Sequence, residues 1–299
     1  MKLDGVHLLL TFKCTYECDH CFIWGSPWQP GTMSLRAIGD IVEQSKDCGS
    51  VEWVYFEGGE PLLYYPVLVK GVEMAAAAGF KVGVVSNAYW ATEVEDATEW
   101  LRPLAGKVRD LSISSDLYHG GEYFVAQVRN AVAAAERLGI PVKVLTITPE
   151  EDTELPAAEG LPVSRFTVSY RGRAAEALAP NAAQQPWTEF DTCPDEDLRE
   201  PGRVHVDPLG NVHLCQGILL GNVFETPLRE ICEGYDPESH EVVGPLLVGG
   251  PAELARRAGG PPGEMFADAC HLCFETRRRA RARFPRTVGP DQAYGVVED

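Results

Sequence analysis

No apolar run in this sequence approaches the roughly 20 residues a bilayer-spanning helix needs, which excludes a membrane-embedded chain and a membrane partner. The opening stretch MKLDGVHLLLTF has an acid at Asp4 and no small-residue cleavage site, so it reads as a first strand and not as an export signal. A cytoplasmic location is expected. Basic side chains are scarce, 26 against 44 acidic ones, and the net charge of −18 repels a phosphate backbone, arguing against nucleic-acid binding as the main task. Internal repeats and low-complexity tracts are missing too. What is present is an apolar fraction of 45% with 23% charged residues, enough over 299 residues for a soluble protein with one large domain and an appendage, or two domains. Nine cysteines, an odd number without an export signal, point to metal ligands or catalytic thiols and not to disulfides.

From residue 6 to about 170, short β-branched runs alternate with longer amphipathic or Ala-rich ones, the pattern of repeated βα units. Six strands are expected, at 6–12, 52–56, 81–86, 110–114, 142–148 and 165–170. Helices are expected from Ser34 to Asp47, Tyr65 to Ala78, Glu93 to Leu101 and Tyr123 to Leu138, with the Pro/Glu/Ala-rich connection from Pro149 to Pro162 the weakest helix signal. In series these units make a parallel α/β sheet, curved into a partial (βα)6 barrel or doubly wound, with chemistry at the strand C-terminal ends. Polar and special residues do collect there: a cysteine loop, EGGEP, Ser86 with Asn87, and Ser114 with Asp116 and His119.

After residue 172 the pattern breaks. The Ala/Pro/Gln stretch to Trp187 reads as a linker, and RVHVDPLGNVHLC reads as a hairpin turning at Asp207 to Asn211. The expected division is residues 1–180 for the α/β core and 181–299 for a small α+β unit. Gly244 to Gly263 reads as loop around a short Ala/Arg helix. Six arginines between Arg277 and Arg286 read as a solvated helix face or a docking patch for an acidic partner such as an electron carrier.

Cys14, Cys18 and Cys21 crowd one loop after the first strand. A structural zinc site wants four ligands and a redox dithiol wants two, so three thiols fit neither well, although His20 or a distant cysteine could complete a zinc site. On a four-iron cubane, three thiolates leave one iron open to another ligand. The spacing Cys-x3-Cys-x2-Cys at the end of a first βα-type strand resembles the radical S-adenosylmethionine (SAM) superfamily, and FEGGEP, Phe56 to Pro61, resembles that family's Gly-Gly-Glu-Pro segment.

The resemblance implies a [4Fe–4S] cluster on Cys14, Cys18 and Cys21 with SAM on the open iron. It implies backbone approach to the cofactor at Gly58 and Gly59, with Glu60 near the methionine ammonium. His20 would lie against the adenine, or be a packed structural histidine. Ser86 and Asn87 would contact ribose or carboxylate, or merely shape a turn. Ser114 and Asp116 would contact cofactor or substrate, and Arg173, in a Gly-Arg-Ala segment, would pair a carboxylate.

Cys193, Cys215, Cys270 and Cys273 add a second set that resembles the auxiliary-cluster domain of the SPASM type in its shortened, twitch form, implying one auxiliary [4Fe–4S] cluster. Cys232 could replace one of them, but a buried thiol is the simpler reading, and Cys48 reads as packing. The implied reaction is reductive cleavage of SAM to a 5′-deoxyadenosyl radical, which abstracts hydrogen from an unactivated carbon for oxidation or rearrangement. Flavodoxin or ferredoxin would donate the electron. A small-molecule substrate is expected because no leader-binding domain precedes residue 6; a peptide-modifying maturase and a non-catalytic iron–sulfur or zinc module are the alternatives.

Overall fold

The computed structural model describes residues 1–119, 125–149 and 163–296. They form two compact units, one of Gly5–Cys18 with Gly25–Val168, the other of Met1–Asp4, Asp19–Trp24 and the chain from Ser169 onward.

The first unit holds β1 (Leu3–Thr11), α1 (Leu35–Asp47), β2 (Trp53–Gly58), α2 (Tyr65–Ala77), β3 (Lys81–Ser86), α3 (Val94–Leu101), β4 (Val108–Ser114), α4 (Val125–Arg137), β5 (Val142–Thr148) and β6 (Val163–Thr167). Each strand pairs in parallel with the next, so the order along the sheet is the order along the chain. This is the mostly parallel α/β arrangement expected of a partial (βα)6 barrel. In α1, Ile38, Ile41, Val42 and Ser45 are buried at helical spacing, and Ser34 Oγ caps the first turn by accepting from Ala37 N at 3.1 Å. Each Ile, Leu or Val so buried stabilises the unit by about 1.5–3 kcal/mol.

β6 stops short of the expected Tyr170. Val168 N still donates to Thr148 O, but Tyr170 N donates to the Asp268 side chain at 3.1 Å, so the chain leaves the sheet there. The expected start of α4 at Tyr123, and the connection from residue 150 to 162, lie outside the described residues.

In the second unit, the expected linker carries a four-residue helical turn, α5 (Ala174–Ala177), and a two-residue strand, β7 (Gln185–Pro186). β8 (Gly202–Val206), β9 (Asn211–Cys215) and β10 (Ile218–Asn222) form an antiparallel meander. After α6 (Leu228–Gly234) comes α7 (Val243–Arg257), which contains the expected short Ala/Arg helix and adds a piece before it, where loop was expected. Gly249 and Gly250 break it with non-helical dihedrals, and Pro251 opens the second piece, a position where its missing N–H costs nothing. β11 (Met265–Phe266) pairs with β7, and α8 (Ala269–Ala280) packs Phe274 with Leu214, Ile218, Leu246 and Tyr294 in the core.

Of the six arginines read as one exposed face, Arg277 is 2% exposed, Arg278 pairs with Glu176 and Glu275, and Arg281 pairs with Asp291. The patch is therefore smaller than the sequence suggested. No helix among the described residues is long and apolar enough to cross a membrane.

Candidate functional site

In the first unit the Gly-Gly-Glu segment is wedged against the cysteine loop. Gly59 N donates to Thr11 O at 2.7 Å and Glu60 N to Lys13 O at 2.8 Å. A side chain on Gly59 would place its Cβ 2.1 Å from Lys13 O, and Gly58, at φ 127°, holds a backbone conformation that favours glycine. What these glycines admit at close range is thus the backbone leading into Cys14.

Glu60 is wholly buried. Its Oε1 accepts from Leu62 N and Ser86 Oγ, both at 3.0 Å, and its Oε2 accepts from Asn87 N at 2.8 Å. Burial pushes the carboxyl up to about 7 while these three donors pull it down. The methionine-ammonium contact expected of Glu60 falls on oxygens already engaged inside the protein. Asn87, fixed by Glu60, donates Nδ2 to Thr15 Oγ1 at 2.9 Å and reaches Cys14 Sγ at 3.6 Å.

Gly58, Gly59, Glu60, Ser86, Asn87 and Cys14 therefore form one hydrogen-bonded assembly at the strand C-terminal ends. Ser114 closes β4, half-buried; Asp116 Oδ1 accepts from Tyr118 N and meets His119 Nδ1, each at 2.9 Å, and its Oδ2 accepts from Ile147 N. Asp116 thus shapes its own loop.

Three members went unread in the sequence. Tyr16 lies in the cysteine spacer; burial, then the Cys14 and Cys18 thiols and Glu60, push its phenol above its ordinary range. Thr15 receives Asn87, and Trp90 Nε1 donates to Ser86 Oγ at 2.9 Å. Position within a cysteine spacer was the available signal for Tyr16 and Thr15.

His20 and Cys21 belong to the second unit. There Arg173 N donates to Cys21 O at 2.9 Å, and the Arg173 guanidinium lies over the Trp24 ring, 5.5 Å from its centroid. His20 is half-buried. The Gly-Arg-Ala segment is thus tied to the third cysteine's backbone.

The four remaining predicted ligands come together. Cys193, Cys215, Cys270 and Cys273 line one cavity, with Arg171 and Arg277 in its wall. The hairpin delivers Cys215, and the first turn of α8 delivers Cys270 and Cys273 three residues apart on one face. Cys193 accepts backbone N–H bonds from Asp195 and Glu196. Arg171 donates to Cys215 Sγ at 3.1 Å, and Cys270 Sγ lies 3.1 Å from Asp195 Oδ2. Burial pushes the Cys193 thiol up to about 11 and raises Cys270 and Cys273 as well. Ligation of a cation would favour the thiolate form of these three thiols. Four sulfurs lining one cavity, with N–H donors and guanidinium groups around them, fit the ligand set of a four-thiolate cluster. Cys232, buried in α6, and Cys48, at the end of α1, are not in the cavity wall.

Asp207 holds the hairpin that carries Cys215. It is fully buried and accepts from Leu209 N, Asn211 N, Asn211 Nδ2 and His213 Nε2 at 2.8–3.0 Å. Asp207→Ala strands these donors and is expected to cost roughly 3 kcal/mol, read by urea unfolding, and to displace Cys215 from the cavity. An unchanged midpoint would mean the turn does not depend on this carboxylate.

Residues 8–156 match the model of the Radical SAM superfamily. A protein of Bacillus subtilis (strain 168) named for peptide biosynthesis, YydG, is 25% identical over 126 residues, 42% of this chain and 40% of that one. An S-adenosylmethionine-dependent nucleotide dehydratase of a Thermoplasmatales archaeon (strain ISO4-H5) is 30% identical over 123 residues, 38% of each chain. The matches span about two fifths of the length of these curated relatives. Among solved structures, native anSMEcpe with bound AdoMet and the Cp18Cys peptide covers 95% of this chain and 97% of its own at a TM-score of 0.52, with 10% identity, a likeness of fold alone. The cysteine loop with its Gly-Gly-Glu wedge lies within the matched domain, and the chain belongs to the Radical SAM superfamily.

Proposed function

We propose that this chain is a radical SAM enzyme carrying two iron–sulfur centres, one on Cys14, Cys18 and Cys21 and an auxiliary one on Cys193, Cys215, Cys270 and Cys273. The observation that carries the reading is the wedge in which Gly59 and Glu60 bond to the backbone leading into Cys14 while Asn87 reaches its sulfur. Bound together, a reduced three-thiolate cluster and SAM supply reductive cleavage and hydrogen-atom abstraction from an unactivated carbon.

The chain's own part is placement. Glu60 fixes Asn87 through its backbone N–H and Ser86 through its hydroxyl, so the polar rim at Cys14 is held from a buried anchor and does not reorganise when a ligand arrives. Trp90 adds a second hydrogen bond to Ser86 Oγ and so braces the hydroxyl that Glu60 accepts. In the auxiliary cavity, Arg171 and the Asp195 and Glu196 N–H groups direct donors at sulfur.

The substrate is a small molecule, a reading supported by the 30% identity to a nucleotide dehydratase. A peptide substrate is the second reading, favoured by the likeness to YydG. Anaerobic reconstitution tests the function. About eight irons with matching sulfide per chain, and 5′-deoxyadenosine formed on reduction with SAM, are expected; zinc without sulfide would leave a non-catalytic binding module. Adding the low-molecular-mass or the peptide fraction of a cell extract separates the substrate readings by which one raises 5′-deoxyadenosine above the uncoupled level.

A further inference from the structure

Arg277 is the largest fully buried side chain among the described residues. A guanidinium keeps its charge at any pH a protein survives. Buried charges are ordinarily paired, because an unpaired one loses its hydration without return. Arg171, in the same cavity wall, follows the rule with Asp195 at 3.7 Å and Glu196 at 3.9 Å. Arg277 does not. Its Nη1 donates to Gln216 O and to Tyr294 Oη, both at 2.8 Å, and both partners are neutral. Its Nε meets no acceptor, and the guanidinium lies beside the Tyr294 and Phe274 rings, 5.7 and 6.0 Å from their centroids, which stack on each other 5.3 Å apart. Among the described residues no carboxylate stands in an ion pair with it; the titratable groups it faces are Tyr294, Cys273 and Cys215, and its guanidinium also hydrogen-bonds the Cys273 side chain.

Its position follows from the helix. Arg277 lies four residues after Cys273 and seven after Cys270, on the face of α8 that carries both thiols into the cavity. The chain has placed a permanent, desolvated positive charge against a thiol set, with no carboxylate counter-ion among the described residues.

We infer that Arg277 is the built-in counter-charge of an anionic four-thiolate iron–sulfur centre in this cavity and raises that centre's reduction potential. The inference rests on the four-thiol reading of the cavity. A four-thiolate cubane is an anion in its oxidised state and gains one more negative charge on reduction, so a fixed cation nearby favours the reduced state more than the oxidised one. Arg277 acts through the cluster's surroundings as a positioning residue, and its signature is a potential.

The test uses the full chain with Cys14, Cys18 and Cys21 replaced by alanine, reconstituted anaerobically so that only the auxiliary centre fills, and titrated with dithionite and mediators under electron paramagnetic resonance. Arg277→Lys, which keeps the charge, is expected to stay within about threefold of the parent in the equilibrium constant for reduction. Arg277→Gln is expected to lower it at least tenfold, about 59 mV for a one-electron couple. Arg277→Met fills the space beside the stacked Phe274 and Tyr294 rings without a charge and carries the same expectation, so the test survives if the Gln variant does not fold. Iron and sulfide at the parent level with an unmoved potential in both neutral variants would overturn the inference and reduce Arg277 to a brace for the Gln216 turn. A parent that takes up no iron and sulfide would overturn the four-thiol reading, and the inference with it.

Discussion

Replacing Cys14, Cys18 and Cys21 together with alanine is expected to drop 5′-deoxyadenosine formation from SAM to the protein-free level while about four irons per chain remain. The two halves of this result come from different thiols. Asn87 reaches Cys14, and none of Cys14, Cys18 and Cys21 lines the cavity of Cys193, Cys215, Cys270 and Cys273, so removing one thiol set takes no ligand from the other. Without three thiolates there is no cluster with an open iron, and an electron reaching the auxiliary centre has no sulfonium bound to it. The measurement is anaerobic turnover with mass-spectrometric detection of 5′-deoxyadenosine, beside iron and sulfide counts. Turnover at the parent rate would sink the proposed function. Total loss of iron with retained secondary structure would show that filling the second centre depends on the first. The converse replacement, of the four auxiliary cysteines, is expected to leave SAM cleavage detectable.

Much of this site was legible because its signals are local. Three thiols within eight residues, and Gly-Gly-Glu after the next strand, need no knowledge of the fold to be noticed. The strands were legible for a related reason: in β1, β3 and β5, β-branched and other apolar residues crowd short runs between turn signals, which parallel burial requires. What escaped were consequences of long-range contact. Nothing near Glu60 in sequence shows that its carboxylate accepts from Ser86 and Asn87, 26 and 27 residues away. The arginine run after Cys273 looked like one charged face because composition was read without helix phase; with phase applied, Arg277 turns inward with the cysteines while Arg278 turns to Glu176 and Glu275. In the Gly244 to Gly263 stretch the expected short Ala/Arg helix is present, but its glycines and proline kink a longer helix there and do not mark loop on its N-terminal side.

Gly59→Ala is the single substitution expected to do the most damage for the fewest atoms. The added methyl would meet Lys13 O at 2.1 Å, Lys13 C at 2.5 Å and Phe12 C at 2.9 Å, all backbone, so no side chain can swing aside to make room. Relief requires moving the strand end away from the cysteine loop, which breaks Gly59 N to Thr11 O and Glu60 N to Lys13 O together. Such overpacking with loss of buried hydrogen bonds is expected to cost roughly 4 kcal/mol, read as a fall in the urea midpoint of the metal-free chain. The displacement is directed. Glu60 follows Gly59, Asn87 is bonded to Glu60, and Asn87 reaches Cys14, so iron on the three-cysteine loop should be lost at denaturant concentrations where the auxiliary centre is still filled. Gly49→Ala is the control: no atom lies within 4 Å of its added methyl, and its effect is confined to the strain of a residue at φ 71°. If the two variants lose stability equally and neither loses iron selectively, the Gly-Gly-Glu segment is an ordinary turn, and the wedge that carries the proposed function has no role in holding the cysteine loop.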